Sequence, residues 1–150
     1  MKKKPILKEQ MNRQYYYLFG LSAILMLLAF CIESPQSLFQ GMITILISPS
    51  QLFTDYMQIA SVGSTLLNVG IMLLINSYSY KKLEIPVNGT VIGSLGMLAG
   101  FSFFGKNLFN SIPFMLGVWI YVKVTKQNYR NYVIVGLFGS ALGPLVSFLA

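Results

Sequence analysis

The chain has no histidine, a single cysteine and only four acidic residues in 150 positions. Without histidine, serine–histidine triads and histidine-held metals are excluded. One cysteine, Cys31, cannot form an internal disulfide framework or a thiolate metal cluster. The acids Glu9, Glu33, Asp55 and Glu84 all stand at the ends of apolar segments. No pair of carboxylates is therefore placed for acid–base catalysis, and no catalytic residue, metal or cofactor is expected. Charge of either sign is scarce as well, at 10% of residues, against about 25% in a soluble domain. With 55% hydrophobic residues and a mean hydropathy of +0.63, the chain lacks the charge to solvate a surface. An all-α integral membrane protein is expected, with the lipid bilayer as its main partner.

The charge that is present is mostly basic, for a net +7. Lys2, Lys3, Lys4, Lys8 and Arg13 precede the first apolar run; Lys81 and Lys82 follow another; Lys123, Lys126 and Arg130 lie between two more. Basic clusters confined to the ends of apolar runs are topology signals, not a nucleic-acid surface. Placing ten of the eleven basic residues inside puts the N-terminus in the cytoplasm, with Glu33 and Asp55 outward. Lys106 is the basic residue left over.

A single membrane domain spans 1–150. The start resembles a signal peptide but lacks its small-residue cleavage pattern, and Phe30 spoils the lipoprotein-like "LAFC". A retained helix over 14–32 is expected, with tyrosines 15, 16 and 17 at headgroup level. Residues 37–48 hold about ten apolar positions, too few to cross where about 20 are needed, and read as an interfacial or re-entrant piece. A full helix is expected over 55–78. It carries Gln58, Ser61, Thr65 and Asn68 on one face, which should meet protein or water rather than lipid. A last helix over 132–150 includes Pro144 and stops without a polar cap, as a truncated chain would.

The segment 85–124 differs from these. It contains two GxxxG pairs, Gly89/Gly93 and Gly96/Gly100, that would let helices pack closely. It then runs through "FFGKNLFNSIPFMLG", where Lys106, Asn107, Asn110 and Ser111 cluster between Gly105 and Pro113. Pro113 has no N–H to offer the carbonyl of Phe109, and both limbs look too short to span. A Gly/Pro-broken hairpin is expected, tolerated at membrane depth only where protein or a wet cavity surrounds it. Lys106 is either an anchor reaching outer headgroups or the charge of a functional cavity.

The string "FFGKNLFNSIPFMLGVWIYVK", with "LLNVGIMLLI" before it and "ALGPLVS" after it, resembles the bacterial membrane-protein family catalogued as domain of unknown function 1576. The resemblance implies a longer multi-pass protein, of which this chain would be a part, and no defined activity. Broken apolar segments with Gly and Pro are the sequence pointer to transport sites. The expectation is part of a solute transporter or channel, with Lys106, Asn107, Asn110, Ser111, Asn68 and Thr65 facing a small anionic or polar solute. The alternative is a non-transporting scaffold or partner subunit, in which glycines and polar stripe serve assembly with other helices of a longer chain or with a homo-oligomer.

Overall fold

A computed structural model describes residues 3–48 and 54–141, with side chains from residue 9 onward. Among the described residues it is all-helical: α1 (Lys3–Ile32), α2 (Pro35–Ile47), α3 (Tyr56–Ile59), α4 (Val62–Lys82), α5 (Gly89–Phe101), α6 (Leu108–Val124), a 3₁₀ turn at Tyr129–Asn131, and α7 (Val133–Ala141). Pro144 and the end of the expected 132–150 helix lie outside the described residues. Two helical stretches, Glu9–Ile32 and Val62–Lys82, are long and apolar enough to cross a membrane.

α1 begins well before residue 14. Pro5 sits in its first turn, where a missing N–H breaks no helical bond. α1 packs antiparallel along α4. At one end Tyr15 Oη donates to the Ile85 carbonyl at 2.7 Å, and Lys81 Nζ stands 4.5 Å from the centre of the Tyr16 ring. Tyr15 is therefore a core residue, whereas Tyr16 and Tyr17 are exposed, as headgroup-level residues would be. Away from α4, α1 turns Leu21, Ile24, Leu27, Phe30 and Ile32 outward.

The expected 55–78 helix is two helices. Ser61 is extended (φ −170°, ψ 167°) and caps α4 by accepting from the Ser64 N–H, so the helix restarts at Val62 and continues to Lys82. Gln58 is left exposed on α3 and does not share the face of Thr65 and Asn68. Glu33 fastens this end of the fold. Its carboxylate accepts from the Gly63 N–H at 2.9 Å, Ser61 Oγ at 2.8 Å and Ser37 Oγ at 3.2 Å, joining α1, α2 and α4. Burial pushes its carboxyl up, but the three donors outweigh that and hold it below its usual range. A depressed carboxylate stabilises the fold above the ordinary glutamate range, and that contribution is lost as pH falls below it. Glu33→Gln should lower stability by less than about 1 kcal/mol at neutral pH, because solvent screens this partly exposed carboxylate, and flatten the acid limb of a thermal-unfolding profile.

The glycines divide in an unexpected way. A Cβ at Gly89, Gly93, Gly96 or Gly100 would meet nothing within 4 Å, so the GxxxG pairs of α5 pack against no described part of this chain. They form one exposed face instead. The close approaches are made elsewhere: a Cβ on Gly41 would collide with Ser64 Oγ, and one on Gly70 would stand 2.6 Å from Met26 Cγ. Ser64 cannot turn away freely, because its hydroxyl is bonded to Ser61 Oγ at 2.8 Å. Gly41→Ala should therefore cost about 1–3 kcal/mol, while Gly96→Ala should stabilise α5 by about 0.5–1 kcal/mol. Thermal unfolding of the two variants side by side checks both signs.

The hairpin starts and ends at the same end of α4. Arg130 Nη2 donates to the Glu84 carbonyl at 2.6 Å, tying the turn after α6 to the turn after α4. Between them α5 and α6 reach only part way along α4. They are joined by residues 102–107.

Candidate functional site

Helix α5 stops at Ser102, and the chain turns through Gly105, whose φ of 76° belongs to the left-handed region that glycine enters without strain. The break is therefore at Gly105 and not at Pro113. α6 continues through Pro113 from Leu108 to Val124, because the proline falls in its second turn and only the Phe109 carbonyl forgoes a helical bond. The return limb is thus 17 residues long, about 25 Å, longer than the part that follows the proline.

Three asparagines hold this turn. Asn107 is the N-cap of α6, accepting from the Asn110 N–H at 3.0 Å, while Asn110 Oδ1 accepts from the Asn107 N–H at 3.1 Å. That reciprocal pair satisfies donors a helix start would otherwise leave open. Asn107 Nδ2 also donates to the Ile45 carbonyl near the end of α2, at 2.9 Å, and to Tyr56 Oη on α3, at 3.1 Å. Asn110 Nδ2 donates to the Gly105 carbonyl at 2.7 Å. From α4, Asn68 Nδ2 donates to two carbonyls of the turn, Ser102 at 2.8 Å and Lys106 at 3.0 Å. The backbone adds Tyr56 N–H to the Phe103 carbonyl at 3.2 Å. Helices α2, α3 and α4 thus converge on one turn.

Lys106 lies at its centre with no exposed surface. Its Nζ donates to Ser140 Oγ of α7 at 2.8 Å. An ammonium has three N–H donors, and among the described residues no carboxylate lies against it. Asn68 fixes its depth: six residues separate Asn68 from the first residue of α4, about 9 Å, and fourteen from the last, about 21 Å. The lysine is therefore alongside α4 rather than beyond its end. A groove of about 360 Å³ between α4 and α6 leads from Leu108 and Ser111, beside the turn, to Ser79 and Tyr129 near the basic end.

The residues singled out from sequence separate by role. Lys106, Asn107, Asn110, Ser111 and Asn68 come together. The asparagine amides are committed to protein acceptors rather than offered to a solute, and Ser111 Oγ donates back to the Asn107 carbonyl at 2.7 Å. Thr65 is buried one turn from Asn68, but its hydroxyl donates to the Ser61 carbonyl of its own helix at 2.7 Å. Gly105 makes the turn; Gly89, Gly93, Gly96 and Gly100 stand apart from it. Sequence reasoning missed Tyr56, Ser140 and the Ile45 carbonyl. Ser140 lies 34 residues from Lys106 and Tyr56 lies 51 from Asn107, and no local pattern announces pairs so distant.

This arrangement, from α2 to α7, falls within a single family match: a model described as "Protein of unknown function (DUF1576)" covers residues 34–150. The chain belongs to that family. The match begins just after α1 and includes the turn with all of its partners. Searches of curated proteins and of solved structures give no match.

Proposed function

We propose that this DUF1576 protein forms part of a solute transporter or channel of a bacterial cytoplasmic membrane, and that the α5–α6 turn is its solute site, with Lys106 binding a small anion. The observation that carries this reading is the buried ammonium, whose described partner is one neutral hydroxyl. An uncompensated charge at membrane depth costs several kcal/mol by transfer estimates, and an anion at Nζ would offset that cost. The asparagines serve this site indirectly, by holding a non-helical backbone in place where it would otherwise be intolerable. The outward apolar face of α1 and the gathering of Lys81, Lys123 and Arg130 at one end favour an embedded chain with a cytoplasmic N-terminus.

A scaffold or partner subunit is the second reading, favoured by the exposed glycine face of α5, which suits a neighbouring helix in a longer chain or a homo-oligomer. Reconstitution separates the two. Proteoliposomes containing the protein should pass small anions in preference to cations, and Lys106→Met should abolish the flux. Equal, negligible flux of all ions through wild-type protein would favour the scaffold.

A further inference from the structure

A second basic site lies at the far end of α6, away from Lys106. The helix closes with Gln127 N–H donating to the Val122 carbonyl at 3.0 Å and Lys126 N–H to the Lys123 carbonyl at 3.4 Å. This closure needs a left-handed residue, and glycine is the usual one. Here it is Lys126, at φ 55°, as it is Glu84, at φ 53°, at the end of α4, and a non-glycine residue in that conformation carries backbone strain. Beside it opens a pocket of about 520 Å³ lined by Trp119, Lys123, Lys126, Gln127, Asn128 and Tyr129, among others. Two lysines, a glutamine, an asparagine, a tyrosine and a tryptophan are among the lining residues, and none of the lining residues is acidic. Lys123 Nζ is 5.6 Å from the centre of the Trp119 ring.

The face that leads into this pocket is ordered along the helix. Ile112, Leu116, Trp119 and Lys123 recur at helical spacing, passing from aliphatic to aromatic to cationic, and Lys126 follows in the turn beyond the helix. Ile112, Leu116 and Trp119 are all exposed. Free phosphate would use only the cationic end of that sequence. A phospholipid would use all of it, with acyl chains along the aliphatic part, the glycerol level at the indole and the phosphate between the lysines.

We propose that this pocket binds the headgroup phosphate of an anionic phospholipid. The pocket lies at the other end of α6 from Lys106, although Ile112, Leu116 and Tyr129 also line the α4–α6 groove, and binding there requires only that the chain is embedded in a bilayer. The test is thermal unfolding of the purified full chain in detergent, with phosphatidylglycerol or phosphatidylcholine of the same acyl chains added, and with inorganic phosphate as a third arm. Phosphatidylglycerol should raise the melting temperature well above the phosphatidylcholine value, and inorganic phosphate should leave it unchanged. Lys126→Gly removes both the charge and the strain. It should melt higher than wild type without lipid, yet bind phosphatidylglycerol about five- to tenfold more weakly, the share of one lysine near an anionic surface. Lys123→Gln combined with Lys126→Gly should lose the preference for the anionic lipid. Equal shifts from the two lipids, an equal shift from phosphate, or an undiminished preference in Lys126→Gly would each overturn the assignment.

Discussion

Replacing Asn68 by leucine is expected to destabilise the protein by about 2–4 kcal/mol, one of the two largest effects anticipated for any single substitution. The change is nearly isosteric, so little volume is lost. What is lost is the amide that reaches across from α4 to the carbonyls of Ser102 and Lys106. Both carbonyls face inward, beside a lysine with no exposed surface, where water cannot easily replace the missing donor. A stranded buried acceptor costs about 1–3 kcal/mol, and two are stranded here, partly offset by the apolar gain of leucine. Thr65→Val provides the comparison. That residue is equally buried on the same helix but bonded only to its own backbone, so its loss should stay near 1 kcal/mol. Thermal unfolding in one detergent measures both, and equal effects would mean that Asn68 does not hold the turn.

Lys106→Met should act in the opposite direction on stability. A lysine inside a bilayer costs up to about 2.5–3.5 kcal/mol on the insertion scale, and the bond to Ser140 Oγ returns about 1–2 kcal/mol. Removing both leaves a net gain of about 0.5–2.5 kcal/mol, which for a chain of this size is a rise of a few degrees in melting temperature. Methionine can occupy the space of the lysine stem without strain. A buried residue whose removal stabilises the fold is retained for what it does, and the same variant should lose the anion flux. Lys106→Arg keeps the charge but not the volume or geometry, and should retain part of the flux while melting lower.

Much of this site was legible in the sequence because its chemistry is local. A lysine, two asparagines and a serine within six residues, inside an apolar run, mark a polar turn wherever the run is folded. Gly105 and Pro113 both read as break residues, and which of them makes the turn was hidden for an equally local reason. Pro113 is the stronger helix breaker on paper, yet a proline in the second turn of a helix is tolerated, and the conformation only glycine adopts freely occurs eight residues earlier at Gly105. The split at Ser61 was hidden because serine signals a cap only when the backbone is extended, and an apolar run on either side reads as one helix. The α5 glycines show the limit of spacing arguments. Their pattern reports a face that can be approached closely, but not whether a segment of this chain approaches it. The close approaches at Gly41 and Gly70 carry no such repeat. Tertiary pairs such as Lys106–Ser140 and Asn107–Tyr56 depend on how six helices converge, which residue spacing does not encode.

The most direct test of the central claim is the anion dependence of thermal unfolding, measured for wild-type protein and Lys106→Met in parallel over a panel of small anions at constant ionic strength. Melting of the wild type should rise with at least one anion and saturate with its concentration. Lys106→Met should start higher and show no anion response. A saturable response of equal size in both proteins, or none in the wild type across the panel, would contradict the assignment of Lys106 as the anion-binding group of this turn.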